Sequence, residues 1–153
     1  MEAALPREHY VDPSMFARER EMLRHEWTCL GRLDELGLDQ PDRVAVLDFH
    51  GESILVTRDA AELHAHANVC RHRGSQLMPA DAPPCGAKAL RCPYHSWTYA
   101  LDGSLMHAPH ADGIDSATFA LTSLAADSWG GWLWSGPTMK TPKLEPSAIG
   151  LMT

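Results

Sequence analysis

The chain has 153 residues, with 13 Lys and Arg against 20 Asp and Glu, for a net charge of −7. That length holds one domain with a real core but not a two-domain enzyme of several hundred residues, and the acidic balance lacks the cationic surplus that phosphate backbones and anionic membranes select. Nucleic acid is therefore not an expected partner, and 44% hydrophobic with 22% charged residues is the composition of a folded domain. No apolar run approaches the roughly 18 residues of a membrane span, and the acidic, Pro-broken start lacks a signal peptide's pattern, so a cytoplasmic protein with no membrane partner is expected.

In chain order, residues Asp12 to Trp27 predict a helix: Asp12 caps it, Pro13 fills the first turn, and Phe16, Arg20, Leu23 and Trp27 fall near one face, with the stem of Arg20 along it. After Gly31 the pattern turns to short β-rich runs at Val44 to Phe49, Ile54 to Thr57 and Leu63 to Val69, separated by Asp, Gly and Arg, which predicts antiparallel sheet. Lys88 to Arg91 and Trp97 to Leu101 continue it. Asp102-Gly103 is a hairpin turn signal, and Phe119 to Leu124 with Gly131 to Ser135 close the pattern. Pro79 to Gly86 predicts an exposed loop, and from Gly136 onward Pro137, Pro142 and Pro146 predict a linker or tail.

Two short motifs carry the chemistry: Cys70-Arg71-His72-Arg73-Gly74 and Cys92-Pro93-Tyr94-His95-Ser96-Trp97. Each offers one thiolate and one imidazole, and each pair is tight enough to sit on one loop. Two thiolates plus two imidazoles suit an asymmetric 2Fe-2S centre of Rieske type, in which one iron keeps two Cys and the other takes two His. A tetrahedral zinc site accepts the same donors, although zinc arms more often pair Cys with Cys and His with His. Four unrelated core residues are the remaining alternative. The other cysteines have ordinary expectations: Cys29 a buried small hydrophobe in an apolar strand, Cys85 a loop thiol. His64 and His66 share a strand face. His107, His110 and Asp112 invite a facial triad for mononuclear iron, but Pro109 and Gly113 mark that segment as a loop without the rigid supports such a site needs.

Cys70 to Gly74 and Cys92 to Tyr99, followed by Leu101-Asp102-Gly103-Ser104-Leu105, resemble the Rieske domain of the alpha subunits of aromatic-ring-hydroxylating dioxygenases and related Rieske non-haem iron oxygenases. Tyr10 to Pro13, Phe16, Glu19, Leu23, Trp27 and Gly31 resemble that family's N-terminal helix, Asn68-Val69 precedes the first motif as it does there, and Trp129-Gly130-Gly131 to Trp134 extends the likeness. The resemblance implies a mainly β fold, a Rieske-type antiparallel β-sandwich with two cluster-binding loops and an N-terminal α-helix. It divides the chain into a helix and lead-in over 1–35, the 2Fe-2S domain over 36–135 and a linker or tail over 136–153.

The resemblance further implies one Rieske 2Fe-2S cluster, with Cys70 and Cys92 on one iron and His72 and His95 on the other. Its electron donor would be a ferredoxin or a flavin-dependent reductase. Its acceptor would be a mononuclear Fe(II) in an oxygenase catalytic domain absent from this chain, which ends where that domain should begin. An oxidoreductase portion that does not hydroxylate by itself is expected, with a stand-alone Rieske ferredoxin as the alternative. Respiratory-chain Rieske proteins carry extra cysteines where this chain has Ser75 and Tyr94, which implies the low-potential branch. Ser96 stands where the family often has Gly; its hydroxyl either reaches a cluster sulfide or merely fits a tight turn. Trp97 and Tyr99 are expected to insulate the cluster.

Overall fold

The computed structural model describes residues 4–136, so the expected linker or tail over 136–153 lies outside the described residues apart from Gly136. The N-terminal helix is shorter than its periodicity predicts. A single turn, α1 (Glu8–Val11), precedes α2 (Pro13–Leu23), and Asp12 caps α2 by accepting a hydrogen bond from the Ser14 amide at 2.7 Å. The helix stops before Trp27 because the next segment, Thr28-Cys29-Leu30, is drawn into sheet as β1 (Thr28–Arg32). Nor does the predicted apolar face reach the core: Phe16 and Leu23 are exposed. Arginines instead tie the helix to the sheet. Arg20 and Arg24 both donate to the His50 carbonyl, at 3.3 and 3.1 Å, and the Arg20 guanidinium lies 5.8 Å from the Phe16 ring centre.

The sheet strands are β2 (Arg43–Phe49), β3 (Glu52–Arg58), β4 (Leu63–Ala67), β5 (Cys85–Gly86), β9 (Ser123–Trp129) and β10 (Trp132–Gly136), joined by β1 in the order β1-β10-β9-β4-β3-β2-β5. All pairings are antiparallel. His50 and Gly51 close the β2–β3 hairpin with φ of 54° and 90°, the two positive values a type I′ turn demands and the twist of the strands favours. A second sheet holds β6 (Leu90–Arg91), β7 (Thr98–Tyr99) and β8 (Leu105–His107).

Alternation along the large sheet splits the core in two. Val44 and Leu55 face the small sheet and pack with Cys70, Cys92, Trp97, Tyr99 and Leu101, while Ala45, Ile54 and Val56 face the other way onto Leu38, Ala65 and Leu133. Burial on both faces explains why β3 reads as a continuous apolar run rather than an alternating one. The small sheet is locked down by one carbonyl: the Thr57 hydroxyl and His66 Nε2 both donate to the Leu101 oxygen, the latter at 3.1 Å.

At the β3–β4 turn, Asp59 accepts hydrogen bonds from the Ala61 and Glu62 amides, both at 2.7 Å, and lies 2.8 Å from His64 Nε2. The Glu62 amide first, with His64 and the Ala61 amide, brings the Asp59 carboxyl down to about 2 from its ordinary 3.8. The unfolded chain thus binds the extra proton between those values, so this contribution is present above pH 3.8 and is lost as pH falls through about 2. Asp59→Asn is expected to remove that part of the acid sensitivity, measured by denaturant unfolding at pH steps between neutral and strongly acid.

Candidate metal centre

The two chemical motifs form two loops with the same backbone. In the first, the Cys70 amide donates to the Ser75 carbonyl at 2.8 Å and the Gly74 amide to the Cys70 carbonyl at 3.1 Å; in the second, the Cys92 amide donates to the Trp97 carbonyl at 2.8 Å and the Ser96 amide to the Cys92 carbonyl at 3.1 Å. The fifth residue of each loop is left-handed, Gly74 at φ 69° and Ser96 at φ 60°. Glycine takes that conformation freely, whereas serine carries a steric cost there. Each loop is the tip of a hairpin: a Val69–Gln76 bridge closes the first, and β6 with β7 closes the second.

The first loop is braced by Asn68, whose buried amide uses all its hydrogen-bonding directions. Its Nδ2 donates to Ser53 Oγ at 3.0 Å and the Met78 carbonyl at 2.7 Å, and its Oδ1 accepts from the Leu77 and Met78 amides at 3.2 and 3.0 Å. The outgoing and returning arms of the loop are thereby held at one spacing.

All four expected donors come to this pole. Cys70 and Cys92 are buried, each 2% exposed, and the His72 and His95 rings lie 4.8 Å apart at 63°. His72 stacks on Trp97 at 4.7 Å and 4°, and His95 lies against Tyr94 at 3.8 Å. His95 Nδ1 is buried with no hydrogen-bond partner. A buried orphan nitrogen of that kind costs about 1–3 kcal/mol unless something takes its lone pair. The chemistry of the donor set, two soft thiols and two imidazoles, fits a Rieske cluster, with that lone pair available to iron.

Electrostatics separate the two thiols. Burial pushes the Cys70 thiol up, only partly offset by the Tyr99 hydroxyl. Burial also pushes Cys92 up, but the Tyr94 and His95 amides with the Cys70 and Ser75 side chains outweigh it and leave that thiol below its ordinary value. Burial, then the charges of His95 and Arg73, holds His72 below the ordinary histidine value. Tyr99 is raised, by burial first and then by its contact with Cys70. The Tyr99 oxygen accepts from the Arg71 amide at 3.1 Å and lies 3.2 Å from Cys70 Sγ, to which its O–H donates once that sulfur is a thiolate. Sequence reasoning placed Tyr99 as insulation and missed this bond, the bracing by Asn68 and the contact of Ser75 with Cys92. The sequence signals were their nearness to the motifs and, for Asn68 and Ser75, their places in the resemblance.

Other candidates fall away from this pole. The Ser96 hydroxyl accepts from Arg91 Nη2 at 2.8 Å, and its residue holds the left-handed position of the turn. His66 is buried beneath the Asp102-Gly103 turn and His64 pairs with Asp59. His107, His110 and Asp112 are exposed, and among the described residues no three His, Cys, Asp or Glu side chains converge on a single-ion site. Cys29 corrects an expectation: it is in a strand but exposed, because β1 is the edge of the sheet. Cys85 is half-buried where β5 pairs with β2 at Val44.

Comparison with known proteins places this geometry. The description "Rieske [2Fe-2S] domain" matches residues 26–120. The glycine betaine monooxygenase oxygenase subunit of Chromohalobacter salexigens is 37% identical over 145 residues, 93% of this chain and 32% of that protein. The carnitine monooxygenase oxygenase subunit of Escherichia coli K12 is 28% identical over 152 residues, 96% of this chain and 40% of that protein. The chain thus spans about a third to two fifths of the length of these relatives. Among solved structures, the quaternary ammonium Rieske monooxygenase CntA in complex with an inhibitor superposes with a TM-score of 0.81 at 28% identity, over 97% of this chain and 42% of that one. Naphthalene 1,2-dioxygenase from Rhodococcus sp. does so with 0.77 at 27%, over 92% and 33%. With two matched Cys/His loops at one pole of a curled antiparallel sheet, the chain belongs to the Rieske [2Fe-2S] domain family and corresponds to the Rieske part of an oxygenase subunit.

Proposed function

We propose that Cys70 and Cys92 hold one iron of a Rieske [2Fe-2S] cluster and His72 and His95 the other. The observation that carries this ligand set is the buried, partnerless His95 Nδ1 beside two buried thiols on twin loops. A single tetrahedral zinc would need the donors to converge on one point, whereas a two-iron cluster asks only two protein donors of each iron.

When bound, the cluster supplies reversible one-electron chemistry. The chain's residues do the rest. Trp97 and Tyr99 are buried against the loops and exclude water, while His72 and His95 are half-buried. Electrons enter from a ferredoxin or flavin-dependent reductase and leave for a mononuclear iron in an oxygenase catalytic domain. The glycine betaine and carnitine monooxygenase relatives support a quaternary ammonium compound as the whole oxygenase's substrate, which the motifs alone do not name. The division at residues 35 and 135 and a cytoplasmic location belong to the same proposal. Anaerobic reconstitution with iron and sulfide tests it: a brown protein with equal iron and acid-labile sulfide is expected, and a colourless protein holding zinc would refute it.

Two substitutions read the surroundings of the cluster. The Tyr99 hydroxyl stabilises the more negative, reduced state, so Tyr99→Phe is expected to lower the reduction potential by on the order of 40 mV, the one-electron equivalent of about 1 kcal/mol. Protein-film voltammetry measures it, with cluster content unchanged. Ser96→Gly relieves the left-handed serine and is expected to stabilise the folded chain by about 1 kcal/mol, measured by denaturant unfolding.

A further inference from the structure

The small sheet, whose β6–β7 hairpin carries the second Cys/His loop, is held to the large sheet around one buried ring. His66 on β4 is 1% exposed, and its Nε2 donates to the Leu101 carbonyl at 3.1 Å, beside the Thr57 hydroxyl on the same oxygen. Nδ1 is therefore the bare nitrogen, 3.5 Å from Ser123 Oγ. The Asp102-Gly103 turn closes over the ring so tightly that a Cβ on Gly103 would collide with it, and the Leu121 amide pins the turn by donating to the Gly103 carbonyl at 2.9 Å. A neutral ring fits this enclosure. A protonated ring would bury a cation whose new N–H meets only a distant hydroxyl, and a buried charge without a partner costs far more than a buried neutral group.

Among the described residues, the charged groups that face His66 leave it without a paired counter-ion. From β4 itself, His64 stacks on it at 6.2 Å and 13°, and is taken by Asp59 of the β3–β4 turn at 2.8 Å. From the β7–β8 turn, Asp102 is exposed, and its Oδ1 accepts from the Ser104 amide and hydroxyl. β3 and β9 bring the uncharged Thr57 and Ser123. Burial first, with the charge of His64, holds His66 below its ordinary 6.5 against the opposing Leu101 carbonyl and Asp102.

We propose that His66 is an acid-released latch. Neutral, it clamps the Asp102-Gly103 turn of the small sheet onto β4; once it takes a proton from solvent at Nδ1 it leaves the enclosure, and the turn lifts from the large sheet with the β6–β7 hairpin behind it. The opened chain binds a proton at the ordinary 6.5 that the closed form refuses. The latch thus holds in full above that pH and is lost as pH falls from there through the lower value of the closed form. It belongs to the fold and does not depend on which residues hold iron.

Hydrogen exchange of the holo-protein, followed by mass spectrometry and corrected for the intrinsic pH dependence of exchange, reads the opening. Between about pH 7.5 and about pH 5.5 the opening constant over residues 98–105 is expected to rise roughly five- to tenfold, the range one proton allows, while the β2–β3 hairpin changes less. His66→Gln keeps a donor for the Leu101 carbonyl and cannot titrate, so its opening over the same residues stays flat. Ser123→Asp, at an exposed position, sets a carboxylate beside Nδ1 and is expected to remove the acid response with His66 still in place. A wild-type opening that is the same at both pH values, or an acid response that persists in full in either variant, would overturn the proposal.

Discussion

Cys70→Ser or Cys92→Ser is expected to leave the chain with less than about a tenth of the wild-type cluster, since a serine hydroxyl is not deprotonated to a soft ligand at neutral pH. No other thiol stands in for either one. Each occupies the first position of a loop whose backbone is fixed by the same pair of hydrogen bonds, and each is buried in the core with Trp97, Tyr99 and Leu101. Cys29 sits exposed on the edge strand and Cys85 on β5 beside Val44. Cys85→Ser is therefore expected to retain full iron and sulfide, which separates loss of a ligand from general damage to a thiol. Iron and sulfide assays on the three purified variants measure the outcome. Full cluster in Cys70→Ser, or none in Cys85→Ser, would mean a different ligand set.

Gly103→Ala is expected to destabilise the fold by about 2–4 kcal/mol, combining the left-handed penalty of an L side chain with overpacking. Gly103 has φ 84°, and a Cβ there would stand 2.6 Å from His66 Cε1 and 2.8 Å from Nδ1. The ring cannot retreat cheaply. It is 1% exposed, its Nε2 donates to the Leu101 carbonyl, and its Nδ1 lies 3.5 Å from Ser123 Oγ. Because the Thr57 hydroxyl shares that carbonyl, displacing His66 loosens the tie between the small sheet and the large one. Denaturant unfolding of the variant measures the loss. Asp102→Ala serves as the comparison: it removes only the exposed cap on Ser104 and is expected to cost less than Gly103→Ala.

What the sequence made legible is local. The Cys/His motifs, the Asp-Gly turn and the apolar runs of β2, β3 and β4 need only their own residues to be recognised, and all four donors meet at one pole. The helix start was readable from Asp12 and Pro13 because capping is a contact of adjacent residues. Its end was not, because Thr28 to Arg32 leaves helical periodicity to pair with β10, a hundred residues away along the chain, roughly. The same long-range pairing places Cys29 at an edge. The last strand pair was misplaced at one end: Phe119 precedes the strand and packs on Trp97 at 5.5 Å, and β9 starts only at Ser123, where it can pair with β4. Tyr99 and Asn68 gained their roles from partners brought together by folding, which no periodicity records. The left-handed Ser96 likewise shows itself only when its loop is laid beside that of Gly74.

The central claim, two histidines on one iron and two cysteines on the other, is tested most directly by electron spin echo envelope modulation of the reduced protein labelled with 15N only in histidine. The proposed ligand set predicts couplings to two directly bound histidine nitrogens that change isotope signature together with the label, and that fall to one in His72→Cys or in His95→Cys. A paramagnetic cluster with no strongly coupled histidine nitrogen would contradict histidine ligation and leave an all-thiolate centre, which this chain's cysteines at Cys29 and Cys85 are not positioned to complete.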